Sequence, residues 1–145
     1  LLGADLVIDY HTEDFVEEIK NWTESKGVDV ILDVIGGDYL EKNIRCTSNK
    51  GTIVQVGSLG AMKTEINLGA LLQKRLTLVG TVLRSRSTQE KIALAELFIS
   101  LIVPKFEKGI FKPVIDSRYS FSEIALAHTY MESNKNIGKI LIELP

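Results

Sequence analysis

Gly27 Val28 Asp29 Val30 Ile31 Leu32 Asp33 Val34 Ile35 Gly36 Gly37 is the run from which the rest of the chain can be laid out. Its centre is dense in β-branched residues, which pack well on a pleated surface and lose side-chain freedom in a helix, so it predicts a strand. Apolar side chains occupy both alternating sets of positions, the pattern of a strand in a parallel sheet covered on both faces. Glycines bound it: Gly27 stops a preceding helix, and Gly36 with Gly37 ends the strand.

Toward the amino end, Thr12 followed by Glu13 and Asp14 reads as a helix N-terminus, with Phe15, Ile19 and Trp22 at helical spacing. Before it, Leu6 to Ile8 reads as a short buried strand, and Gly3 as the residue that closes an earlier helix. Toward the carboxyl end, Asp38 is placed to cap a helix whose Leu40 and Ile44 share a face, and Gly51 precedes a strand from Thr52 to Val56 that ends at Gly57. A helical segment at Leu68 to Lys74 leads to a strand from Leu76 to Leu83. Ser87 and Glu90 have capping-box spacing and start a helix running through Leu97 and Leu101 to about Pro104. That helix is apolar on more than one face, as expected of an element wedged between two layers. Strands at Phe111 to Ile115 and Lys139 to Leu144 flank a helix at Ser122 to Ser133, in which Ile124, His128 and Met131 align. Strands and helices alternate, so the fold class is α/β: a mainly parallel sheet with helices on both faces.

With 145 residues the chain can bury one real core, and one compact unit is expected. A net charge of −2 argues against a partner held by a field of phosphates, so no nucleic acid is expected. The longest apolar stretch, Ile92 to Val103, is interrupted by Glu96 and Ser100 and is too short to span a bilayer, so no membrane is expected either. A single cysteine, Cys46, excludes an intramolecular disulfide and suits a reducing compartment, with cytoplasm as the default. The first residues have no signal-peptide pattern and no initiator Met, so the chain is expected to begin within a longer fold.

In open α/β sheets ligands bind beyond the carboxyl ends of the strands, where loops diverge and helix N-termini present unpaired N–H groups. Three successive strands end in Gly36 Gly37, in Gly57 Ser58 Leu59 Gly60 and in Leu83 Arg84 Ser85 Arg86. One glycine after a strand is an ordinary turn; three loops of this kind at one edge suggest a crevice that takes a flat ligand closely, with Arg84 or Arg86 available to a phosphate or carbonyl oxygen. For the two arginines a solvated loop or a subunit contact is the plainer reading. Asp33, in an apolar strand without a partner acid or histidine, reads as a hydrogen-bonded structural carboxylate and not a catalytic base. His128 reads as a core or half-buried residue and His11 as a loop residue. With Cys46 isolated, no spacing of Cys and His suggests zinc, and Ser58 lacks the setting of a nucleophile elbow. The glycine-rich phosphate fingerprint is absent, so spacing alone supports an α/β domain with a possible nucleotide crevice.

The ordered set Leu2 Gly3 Ala4 Asp5 with Ile8 Asp9 Tyr10, the Gly27 to Gly37 run, Gly51 Thr52 Ile53 Val54 Gln55 Val56 Gly57, and Asn136 Ile137 Gly138 Lys139 Ile140 resembles the zinc-free quinone oxidoreductase branch of the medium-chain dehydrogenase/reductase superfamily. Leu83 Arg84 Ser85 Arg86 and the stretch from Tyr130 to Lys139 resemble its stress-inducible NADPH:quinone reductases. The resemblance implies a carboxyl-terminal half: residues 1–84 a Rossmann domain without its first two strands, and residues 85–145 a crossing helix and return segment of the catalytic domain. It implies hydride transfer from NADPH to a quinone or enone, without metal, by a portion inactive alone. Tyr10 would lie at the adenosine phosphate end, Gly36 at the adenine, Gly57, Ser58 and Leu59 along the nicotinamide with Leu83 and Arg84 beside it, and Asn136 with Lys139 would reach back from the return segment. No residue here is implied as a catalytic acid or base. Leu6 to Ile8, without sheet neighbours, would relocate, pair with another chain or be poorly ordered. The strand Leu76 to Leu83 would pair two copies into a homodimer. Competing readings are an enoyl or alkenal reductase of the same superfamily, and a non-catalytic dinucleotide-binding module. A flavodoxin-like domain is disfavoured because no acidic cluster or phosphate loop follows a strand.

Overall fold

The computed structural model describes residues 3–145. In place of one compact unit there are two, meeting in sequence at Arg86 and Ser87. Buried apolar side chains explain the division: Val16, Ile44, Cys46 and Ile53 form the core of the first unit, whereas Ala127 is the one buried apolar residue described in the second.

The first unit is a three-stranded parallel sheet in the order β1 (Val28–Asp33), β2 (Thr47–Gln55), β3 (Thr77–Gly80), with α1 (Phe15–Trp22), α2 (Tyr39–Cys46) and α3 (Leu68–Lys74) in the connections. The α/β class and the parallel sheet are therefore as the sequence pattern requires. Helix α1 is capped by Asp14 and not by Thr12: the Asp14 side chain accepts the N–H of Val16, while Thr12 is used in the preceding turn. Val16 supplies its buried contact, and Trp22 remains exposed. Asp38 has helical backbone geometry and makes no side-chain cap; the first donors of α2, Tyr39 and Leu40, reach the carbonyls of Gly36 and Gly37 instead.

Strand β2 begins at Thr47, earlier than Thr52, because a bulge shifts the register from Val28 opposite Thr47 to Val30 opposite Thr52. Lys50 turns to φ +65° within it. Strand β3 is shorter than Leu76 to Leu83, since Gln55 is the last residue of β2 available to pair, opposite Gly80. Leu6 to Ile8 forms no strand; Val7 is 80% exposed, and no sheet neighbour is present to satisfy its backbone. The helix expected to end before Gly3 falls on residues 1–2, outside the described ones.

The second unit contains α4 (Thr88–Leu101), α5 (Val103–Glu107), β4 (Ile115–Ser120), a short 3₁₀ turn at Phe121–Glu123, α6 (Ile124–Glu132) and β5 (Lys139–Glu143), with β4 and β5 paired in parallel. The strand expected at Phe111 to Ile115 starts where that one was to end. Pro113 cannot donate to a ladder, and it is Ile115 that pairs with Lys139. The Ser87 capping box is present: its hydroxyl accepts the Glu90 N–H at 3.2 Å, and the Glu90 carboxylate accepts the Ser87 N–H at 2.8 Å. Ser87→Ala should therefore lower the stability of the second unit by about 1 kcal/mol, seen as a lower thermal midpoint. Helix α4 is exposed along its length, not wedged between layers. No helix among the described residues is long and apolar enough to cross a membrane.

Candidate functional site

The carboxyl end of β1 is organised by one carboxylate. Asp33 is 4% exposed; its Oδ1 accepts the N–H groups of Ile35 at 2.6 Å and Gly36 at 3.1 Å, and its Oδ2 accepts Asn43 Nδ2 at 2.9 Å. It ties the strand end to α2 and turns the chain into Gly36 and Gly37, whose φ values are +65° and +56°. The structural reading of Asp33 holds, and both glycines occupy a region that costs other residues about 1–2 kcal/mol.

The loop after β2 runs beside this turn. Val56 donates to the Asp33 carbonyl, Leu59 to that of Val34 and Gly60 to that of Ile35, and Gly36 bridges to Ala61. At Gly57 a Cβ would stand 2.8 Å from the Val34 carbonyl oxygen, so only glycine fits there. Gln55 locks the bend, its Nε2 donating to the Gly57 carbonyl at 2.6 Å, while its Oε1 is buried without a partner. A groove of about 380 Å³ opens between the ends of β2 and β3, lined by Gln55, Gly57, Ser58, Gly80, Thr81 and Val82 among others. A second groove, of about 290 Å³, lies on the β1 side and includes Tyr10, Val34, Ile35 and Tyr39.

Of the predicted site residues, Gly36, Gly57, Ser58 and Leu59 come together at the strand ends, and Tyr10 lies in the groove on the β1 side. Leu83 and Arg84 follow β3 and line neither groove. Arg86 shapes that turn, donating to Thr81 Oγ1 at 3.1 Å and to the Val82 carbonyl at 3.3 Å.

Asn136 and Lys139 belong to the second unit, Asn136 in the segment before β5 and Lys139 as the first residue of that strand. The Asn136 amide donates to the Gly138 carbonyl at 3.1 Å, and the Ile137 N–H donates to Asp116 at 2.8 Å. That backbone N–H is the main reason the Asp116 carboxyl sits below its ordinary range. Gly138, at φ +110°, packs so closely on the Val114 carbonyl that a Cβ would overlap it. Gln55, Asn43 and Asp116 were missed as site-building residues. Gln55 lay within a run read for its strand character and as a family motif, with no role given to its side chain, and the other two act through contacts distant in sequence.

His128 is exposed rather than buried; it borders an apolar groove of about 120 Å³ with Ile124, Met131, Ile140 and Ile142. His11 sits in a turn, as expected. Cys46 is fully buried and its thiol is pushed up to about 11 by that burial, which removes it as a nucleophile. Among the described residues no three His, Cys, Asp or Glu side chains are grouped to hold a metal.

The groove at the ends of β2 and β3, beside the tight glycine bend at Gly57, fits a flat ligand such as a dinucleotide at the strand ends. Quinone oxidoreductase of Rattus norvegicus is 31% identical over 143 residues, covering 98% of this chain and 42% of that protein. Among solved structures, CurF ER cyclopropanase from the curacin A biosynthetic pathway matches with a TM-score of 0.79 at 24% identity, over 99% of this chain and 42% of that one. An NAD-dependent alcohol dehydrogenase matches with a TM-score of 0.71 at 23% identity, over 99% of this chain and 39% of that one. These two likenesses are of fold. The family model for zinc-binding dehydrogenases matches residues 2–142, so nearly the whole chain belongs to that family, within the medium-chain dehydrogenase/reductase superfamily.

Proposed function

We propose that this chain is the carboxyl-terminal part of an NADPH-dependent quinone oxidoreductase, with the dinucleotide laid across the strand ends of the first unit. The observation that carries the reading is the groove at the ends of β2 and β3, bordered by Ser58 and lying beside a bend that glycine at position 57 lets close on Val34. In this proposal Tyr10 and Gly36 take the adenosine end, and Gly57, Ser58 and Leu59 border the nicotinamide. Leu83 and Arg84 approach from the loop after β3, and Asn136 and Lys139 from the return segment. Residues 1–84 are then the dinucleotide-binding part and residues 85–145 the crossing helix and return segment.

When bound, the cofactor supplies the hydride; the residues here supply position, and no acid or base of this chain is needed to complete the transfer. The outer edge of β3, whose four residues are all exposed, is the surface proposed to pair two copies into a dimer.

The test joins this chain to the amino-terminal part of the rat protein and follows NADPH oxidation with a panel of quinones and conjugated enals. Faster turnover of quinones supports the proposal. Turnover of enals alone would assign an enoyl or alkenal reductase, and cofactor binding without turnover would leave a binding module.

A further inference from the structure

The opposite ends of the same strands carry a second concavity of different chemistry. Where β1 and β2 begin, roughly 20 Å from the glycine loops by the rise of a six-residue strand, a cavity of about 350 Å³ is lined by Lys20, Lys26, Arg45 and Lys74, with Ser25 and Asn49 among the polar residues between them. No carboxylate lines it, in a chain whose net charge is −2.

Lys74 is built into the wall. Its ammonium donates to the carbonyls of Ile44, Arg45 and Thr47 at 2.9, 2.8 and 2.8 Å, closing the end of α2. All three donors are used, so it contributes fixed positive charge rather than a mobile contact. Burial is the main influence holding it below the ordinary lysine range, and Lys20 adds a like charge nearby. One acid on the rim, Glu17, serves both Lys20 at 2.7 Å and Arg45 at 3.9 Å. Lys26 has no ion pair among the described residues. The wall at Ser25 is fixed by the closure of α1: Glu24 and Ser25 turn to φ +52° and +64°, and the Ser25 N–H donates to the Lys20 carbonyl at 2.7 Å.

Four cations converge from α1, the loop after it, α2 and α3; Glu17 pairs with two of them and Asp14 acts on Cys46 in the same lining, which leaves positive charge in excess. An anion of more than one charge would offset it, with the Arg45 fork and the Lys26 ammonium as donors and Ser25 and Asn49 completing the shell. We propose that this cavity binds a multivalent oxyanion of the phosphate type.

The probe is inorganic pyrophosphate, added to the ¹⁵N-labelled 145-residue chain at constant ionic strength so that general screening does not change. Expected are saturable amide shifts at Ser25, Lys26, Gly27, Thr47 and Asn49, with affinity roughly tenfold weaker in Lys26→Gln/Arg45→Gln. Both substituted residues are exposed, and Lys74 is left intact because it caps α2. Lys26→Gln alone, outside every helix and strand, provides a second variant with a smaller loss. Shifts that do not saturate, that spread equally to Lys63, Lys108 and Lys112, or that persist unchanged in the folded double variant would overturn the assignment.

Discussion

Gly27→Ala is expected to destabilise the first unit by about 3 kcal/mol or more, read as a lower denaturant midpoint at unchanged slope. Gly27 has φ +81°, which an L side chain adopts at a cost of about 1–2 kcal/mol. The added methyl would also overlap the Cys46 carbonyl oxygen and stand 2.9 Å from the Ser48 nitrogen and 3.0 Å from the Thr47 carbonyl carbon. These are backbone atoms at the start of β2, so no rotamer change relieves them, and moving them disturbs the pairing of Val28 with Thr47. Gly80→Ala is the control. Nothing lies within 4 Å of its Cβ position and its φ is not positive, so the change should stay within about 0.5 kcal/mol.

Asp33→Ala should cost a similar amount, about 3 kcal/mol, for a different reason. It leaves two backbone N–H groups and the Asn43 amide without their acceptor in a buried setting, and each such orphan costs about 1–3 kcal/mol before relaxation. Asp33→Asn keeps one acceptor oxygen for the backbone pair, and a flip of Asn43 can restore the third contact, so it should cost about 1 kcal/mol. Urea denaturation measures both, and amide exchange at Gly36 reports whether the turn opens first. Equal losses in the two variants would show that hydrogen bonding is not what Asp33 contributes.

What could be read from the sequence follows from how local the cause was. β1 was legible because its density of β-branched residues and flanking glycines act within the segment. α3 and the Ser87 cap were legible because the signals lie within one turn of the element they start. The errors have long-range causes. The strand at Leu6 to Ile8 had the right residues and no neighbour to pair with. The start of β2 depended on a bulge, and the Phe111 to Ile115 strand was displaced by Pro113 and by the register of β5. At the site, the glycines were visible as punctuation. Gln55 was not, because its role is a side chain folded back on the bend two residues later. Asp116 was not, because it meets Ile137 across 21 residues.

The dinucleotide assignment is tested most directly by calorimetric titration of NADPH into the protein joined to the rat amino-terminal part, with wild type beside Ser58→Trp. Ser58 is exposed and lines the strand-end groove, so tryptophan there fills the groove without entering the core. Binding by the wild type, weakened roughly tenfold or more in a variant with an unchanged melting temperature, is the predicted result. Equal NADPH affinity in the folded Ser58→Trp variant would contradict it.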